Sequence, residues 1–178
     1  PKRILKWFEK ESSSALSRVS IDPEHILLQA NAVEVCQTGQ ELCLVKDFRD
    51  EWRDEIESVR TLEPDMETLV EAFGWDNDDD IRFNDHKDAF VATLDNELVG
   101  QWNSRSAVIA DIAAGNLLRD RSPHWPELST VESIRVLTSL RVFLNLCPEC
   151  DSQVSLNQET VESCCRSATV AVVSCNNC

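Results

Sequence analysis

Apolar residues recur along the chain with two different spacings, and these spacings predict where helices and strands lie. Repeats of three and four residues predict helices, whereas short β-branched or alternating runs predict strands. The clearest helical stripe comprises Phe48, Trp52, Ile56 and Val59. This stripe predicts a helix that Asp47 caps and that runs to about Arg60, with its apolar face buried.

Two further helices are predicted from start and stop signals. Pro64 suits the first turn of a helix and Gly74 suits its end, which places one helix between them. Another begins at a cap formed by Asn103 or Ser104 and extends to about Arg119.

The last predicted helix begins at a capping box, in which Ser129 is followed three residues later by Glu132. Its apolar repeat continues to Leu146 without a glycine or proline hinge before Cys147. We therefore expect a rigid joint at this point, with Val170 and Val172 of the following segment partly buried against the helices.

Two hairpins are predicted among these helices. Residues 26–28 and 33–36 have strand-like composition, and a glycine-containing link separates residues 33–36 from residues 42–45. The second hairpin joins residues 89–94 to residues 98–102. Cys36 and Cys43 would lie near one another in the first hairpin, and we interpret both as small core residues.

The last thirty-two residues contain six of the eight cysteines and form a separate unit. Two Cys-x-x-Cys pairs, at this separation, are typical of a structural zinc site whose four thiolates leave no open position. The predicted ligands are Cys147, Cys150, Cys175 and Cys178. Short strand-like runs at residues 154–156, 160–166 and 169–174, with turns at 157–158 and 167–168, complete the pattern of a zinc ribbon.

Together these elements predict an α+β fold. A mixed helical domain with two β-hairpins spans residues 1–146, and the zinc ribbon spans residues 147–178. Cys164 and Cys165 fall within the ribbon, where adjacent strand residues face opposite ways, so at most one of them points at the metal. A small buried residue, a ligand swap and a redox-sensitive thiol remain open for this pair.

Charge narrows the classes of partner. The chain has 32 acidic and 17 basic residues, a net charge of −15, and twelve arginines against five lysines. This balance fits a protein of a salt-rich cytoplasm, where ions screen the self-repulsion of the fold. It disfavours broad nucleic-acid binding, which needs clustered basic residues. No apolar run is long enough to cross a bilayer.

Two charged segments resemble binding sites, but we interpret both without a ligand. Residues 1–10 are basic and amphipathic and could touch anionic lipid or nucleic acid. We favour a first helix docked on the core through Trp7 and Phe8, or a frayed end, because one or two turns of helix are marginally stable alone. Residues 76–80 begin like a calcium loop, yet Ile81 and Lys87 occupy positions where that loop needs glycine and glutamate. We expect a solvated acidic loop there.

The C-terminal seventy residues carry the motifs SRSAVIADIAA, WPELS and CPEC…VESCCRS…CNNC. In these motifs the chain resembles an uncharacterised family of haloarchaeal zinc-ribbon proteins. The resemblance implies a cytoplasmic, salt-adapted zinc protein without an assigned activity. It implies the same four metal ligands and leaves Cys164 and Cys165 undefined.

The leading functional interpretation is a non-enzymatic zinc-ribbon adaptor that contacts a protein partner. A transcription-associated module that binds nucleic acid is the first alternative, and a continuous basic face over Arg105, Arg119, Arg121 and Arg166 would favour it. The second alternative is an enzyme with an unrecognised site in residues 1–146, which a pocket lined by His86 or His124 would support.

Overall fold

The computed structural model describes residues 21–37, 39, 41–61, 66–73, 81–86, 89–94, 97–163 and 166–178. The helices are α1 (Pro23–Gln29), α2 (Lys46–Arg60), α3 (Met66–Phe73), α4 (Arg105–Arg121) and α5 (Thr130–Leu140). Short 3-10 helices cover Trp125–Glu127 and Arg141–Phe143. The strands are β1 (Val33–Val35), β2 (Leu42–Leu44), β3 (Ile81–His86), β4 (Ala89–Leu94), β5 (Glu97–Trp102), β6 (Val154–Ser163) and β7 (Arg166–Cys175).

The strands form three separate antiparallel sheets, β1-β2, β3-β4-β5 and β6-β7. Together with the helices they confirm the predicted α+β class. The predicted hairpins are present as β1-β2 and β4-β5. β3 adds a third strand that the sequence analysis did not predict, and it pairs with β4 from Ile81↔Leu94 to His86↔Ala89.

Helix α4 is the centre of the core, and α2, α3 and α5 pack around it. Residues 108–115 of α4 are all buried, so this helix is covered on every side rather than along one stripe. Gly115 permits this packing, because a Cβ at this position would meet the carbonyl oxygen of Ala72 in α3 at 2.6 Å. Ser104 caps α4 by accepting a hydrogen bond from the Ala107 N–H, as one of the two predicted caps.

The core contains a buried carboxylate with two polar partners. Asp111 of α4 is fully buried, and its Oδ2 accepts a hydrogen bond of 2.7 Å from the Trp102 indole. Arg141 places its Nε 3.1 Å from the other carboxylate oxygen. Burial raises the pKa of Asp111, although Arg141 and Trp102 both act to lower it.

Several predicted boundaries are wrong. Residues 26–28 lie in α1 rather than in a strand, because Asp22 caps a helix that has Pro23 at its first position. Asp47 does not cap α2, which begins one residue earlier after Val45. The stripe of α2 is buried as predicted.

The predicted last helix is shorter than expected. The capping box of Ser129 and Glu132 is present, but the α-helix ends at Leu140. A 3-10 turn follows, and Leu144 is extended, so the chain reaches Cys147 as an extended segment rather than a helix.

The two C-terminal strands also differ from the prediction. Residues 157–158 and 167–168 are not turns, because they lie inside two continuous ten-residue strands that pair from Val154↔Cys175 to Ser163↔Arg166. Alternating β-branched and polar residues satisfy a long ladder as well as short runs, so the sequence pattern did not discriminate between the two. Residues 1–20, 76–80, Cys164 and Cys165 lie outside the described residues, and so do the interpretations placed on them.

Candidate metal centre

The β6-β7 hairpin brings the two Cys-x-x-Cys turns together. Val154 begins β6 just after the first turn, and its ladder partner Cys175 begins the second turn. The first turn is closed by hydrogen bonds from Cys147 N–H to Ser152 O (2.8 Å) and from Asp151 N–H to Cys147 O (3.0 Å). Asp151 has a φ of 56°, a left-handed conformation that Asp adopts more readily than most residues.

The four predicted thiols converge on one point. All four sulfur atoms lie within 4.8 Å of one another, and this cluster could hold a metal ion. Sγ–Sγ distances are 3.5 Å for Cys147–Cys178, 3.5 Å for Cys150–Cys175 and 3.6 Å for Cys150–Cys178. A tetrahedral ion with metal–sulfur bonds of about 2.3 Å requires sulfur atoms about 3.8 Å apart, and these three distances lie near that value.

The cluster is embedded on one side and open on the other. Cys147 is 1% exposed, whereas Cys178 is exposed to solvent. Cys150 and Cys175 are half-buried. The protein therefore covers the Cys147 side of the donor set, and solvent reaches it from the Cys178 side.

The covering side is built by α2 and α4, which hold the first turn through polar contacts. The Ser106 hydroxyl lies 3.6 Å from Cys147 Sγ and donates a hydrogen bond of 2.5 Å to the Glu149 carboxylate. Arg60 pairs with Asp151 at 2.7 Å and donates to Glu149 O at 3.3 Å. Polar contacts therefore dock the first turn onto the ends of two helices.

The predicted burial of Val170 and Val172 against the helices can be followed at only one of the two residues. Val172 is half-buried, and the side chain of Val170 lies outside the description. β7 contacts the 3-10 turn Arg141–Phe143.

The thiols differ in acidity. Hydrogen bonds from the Ser152 hydroxyl and N–H lower the pKa of Cys150 to about 6. The neighbouring thiols, Cys175 foremost, raise the pKa of Cys178. Four adjacent thiolates repel one another, and a bound cation would remove that repulsion, so metal binding to this donor set would release protons.

Of the cysteines and histidines whose side chains the structure describes, Cys36, Cys43, His25 and His124 take no part in this cluster. Cys36 and Cys43 form a disulfide across the β1-β2 hairpin, with Cα atoms 5.3 Å apart, so the interpretation of both as small core residues is wrong. Cys43 is exposed, and the hairpin register, rather than burial, brings the two together. His25 is exposed, and His124 is half exposed with its Nδ1 3.1 Å from Glu127.

The sequence analysis missed the residues that surround the cluster. Ser106, Arg60 and Glu149 occupy ordinary helix or turn positions, and no short-range pattern marks them. Their role depends on tertiary packing over at least forty residues of chain, as the separations of Ser106 from Cys147 and Arg60 from Asp151 show.

Comparison with known proteins gives a family without an activity. Residues 22–142 match the central domain, and residues 145–178 the C-terminal domain, of a family of unknown function, DUF8054. No curated protein and no solved structure shows significant similarity to the chain. Among the described residues, no helix is long and apolar enough to cross a membrane. Because the two family models cover most of the sequence, the chain belongs to the DUF8054 family.

Proposed function

We propose that the protein is a zinc-binding, non-enzymatic adaptor that acts through protein–protein contacts in the cytoplasm of a salt-adapted haloarchaeal cell. Its domains would be residues 1–146 and a zinc ribbon of residues 147–178. The observation that carries the proposal is the convergence of four thiols at near-tetrahedral spacing. Four thiolates select zinc among the common cellular divalent ions and leave no coordination position for a substrate.

The pairing of the arginines supports a protein partner over nucleic acid. Arg119 lies 3.6 Å from a Glu71 carboxylate oxygen, Arg121 2.6 Å from Glu51, and Arg105 4.0 Å from Glu149. These side chains neutralise nearby acids, so they do not offer a free basic face for phosphate groups. The pairing of these arginines and the net charge of −15 together favour contact with a protein surface over contact with nucleic acid.

The proposed compartment rests on the four free thiols and the acidic composition. Metal-binding thiols persist where the surroundings are reducing. The Cys36–Cys43 disulfide instead favours an oxidising compartment, since a reducing cytoplasm keeps most thiols free. Alkylation before and after reduction of protein taken from its native cell would show which state this pair adopts there.

Metal analysis tests the metal part of the proposal. Protein purified under reducing conditions should contain about one equivalent of zinc. Cys150→Ser removes one donor and should lose most of that zinc, and the thiolate-to-metal charge-transfer bands of the cobalt-loaded protein should become weaker. Replacing both Cys164 and Cys165 by serine is the matched control and should retain one equivalent. A second full equivalent in the parent protein would contradict the single site.

A further inference from the structure

A groove runs between α2 and the extended segment that leads into the first metal turn. Its volume is about 210 Å³, and Cys147 and Pro148 line the end nearest the cluster. Four half-buried apolar side chains line it, namely Leu44, Phe143, Leu144 and Leu146. Trp52 and Ile56 of α2 form its floor and are almost fully buried. The groove therefore offers an apolar surface that the core covers only in part.

One wall of this groove has the geometry of a sheet edge. Leu146 bridges Gln153, and the flanking bonds join Val154 N–H to Asn145 O (3.2 Å) and Cys147 N–H to Ser152 O (2.8 Å). In this antiparallel pattern the N–H and C=O of the bridging residue point away from its partner. Among the described residues, neither backbone group of Leu146 has a protein hydrogen-bond partner. This edge is therefore open to an added strand.

The charges along the rim differ between its two ends. Arg49 and Arg53 line the end nearer the start of α2. Arg49 is paired with Asp50, its Nε 3.3 Å from the carboxylate, whereas Arg53 is exposed without an ion pair among the described residues. At the metal end, Arg60 is neutralised by Asp151. Asp54 and Glu57 also line the groove, on the α2 turns between Arg53 and Arg60. At a rise of 1.5 Å per residue, Arg49 and Arg60 lie about 16 Å apart along α2, which matches four or five extended residues.

We propose that this groove binds an extended peptide segment of a partner protein by strand addition. The segment pairs with the backbone of Leu146, places an apolar side chain against the uncovered walls, and directs an acidic side chain to Arg53. Main-chain pairing provides affinity in this mode of recognition, and the side-chain positions provide specificity. The inference deepens the proposed adaptor function, because it names the surface used and the chemistry of the partner.

The proposal is tested by peptide display. A library of random linear peptides, about twelve residues long, is selected for binding to the zinc-loaded protein. We expect the selected peptides to share an apolar residue near Asp or Glu. A synthetic peptide of the consensus should lose at least about tenfold in affinity for Arg53→Glu, measured by fluorescence anisotropy. Lys46→Glu makes the same charge change on an exposed residue of the same helix outside the groove, and it should cost less than about threefold.

The backbone contact has its own test. Leu146→Pro removes the N–H that an added strand would use, and should abolish binding while zinc content and circular dichroism stay unchanged. Because this variant could fail to fold, the peptide is also scanned by N-methylation of each amide in turn. One or two positions should lose binding, at alternating sites that match strand pairing. Uniform tolerance of N-methylation would overturn strand addition.

The remaining outcomes separate this inference from the adaptor function itself. Peptides enriched in basic residues, affinities unchanged by Arg53→Glu, or displacement by a short single-stranded oligonucleotide would each overturn the groove assignment. A partner that is captured by the intact protein but cross-links away from the groove would sink this inference and leave the adaptor function standing. Loss of zinc stoichiometry with retained peptide binding would reject the metal part of the proposed function and leave the groove assigned.

Discussion

Arg141 lies with its Nε 3.1 Å from the Oδ1 of Asp111, a carboxylate that has no exposed surface. The two residues join the middle of α4 to the 3-10 turn that leads toward the metal cluster. The contact is an ion pair without good hydrogen-bond angles, since neither atom meets hydrogen-bond geometry. Coulomb attraction at short range, rather than a directional bond, therefore compensates the buried charge.

Arg141→Met should destabilise the protein strongly. It leaves the Asp111 carboxylate buried without a counter-charge, which typically costs about 3–5 kcal/mol in free energy of unfolding. Urea denaturation monitored by circular dichroism measures the change.

Adding Asp111→Asn in the same chain should recover most of the loss, because the amide keeps the Trp102 bond without a charge. Thr138→Val is the control, since it removes only the 2.8 Å bond between Thr138 and Arg141. Equal losses in the single and double variants would contradict a charge-based role.

The same carboxylate should make stability depend on pH. Burial raises the pKa of Asp111 in the folded state, so the folded protein holds this proton more tightly than the unfolded chain. The contribution to stability is full below the unfolded pKa, near pH 4, and is lost as pH rises through the folded pKa. We expect the free energy of unfolding of the parent protein to fall relative to Asp111→Asn as pH increases from about 4. A constant difference across that range would show that the pKa is not raised.

Ser106→Ala should weaken metal binding without removing a ligand. Ser106 positions Glu149 of the first turn and contacts the Cys147 sulfur. Loss of such an outer contact typically lowers metal affinity by about 10-fold to 100-fold. Competition with a chromophoric chelator measures the affinity. Ser58→Ala, which changes an exposed serine of α2 bonded only to its own helix, should leave that affinity unchanged.

Low salt should destabilise the helical domain. α2 alone carries six acidic residues among fifteen. The screening length grows from about 3 Å at molar salt to about 30 Å at 0.01 M, so their mutual repulsion strengthens as salt is removed. Circular dichroism at 222 nm, across a salt series, should show loss of helix at low ionic strength. Equal helicity at both extremes would show that the acidic surface is tolerated without salt.

The α+β class followed from short-range signals in the sequence, and the four clustered thiols followed from the spacing of the two Cys-x-x-Cys pairs. The α2 stripe and the Cys-x-x-Cys turns specify their structure within a few residues. The Cys36–Cys43 disulfide and the early end of α5 did not follow. The first depends on hairpin register. The second lies beyond the capping box and the apolar repeat, which mark where α5 begins and which face is buried but not where it gives way to the 3-10 turn at Arg141–Phe143.

The positions of the tryptophans make fluorescence a reporter of changes at the cysteine cluster. Trp52, Trp102 and Trp125 are buried, and each indole N–H donates a hydrogen bond within the helical domain. Residues 147–178 contain no Trp, Tyr or Phe, so this segment emits no ultraviolet fluorescence of its own. Any shift in emission wavelength on addition of a chelator must therefore originate in residues 1–146, where Trp7 and Trp75 also emit. The protein thus carries a label-free reporter of whether a change at the cysteine cluster spreads beyond residues 147–178.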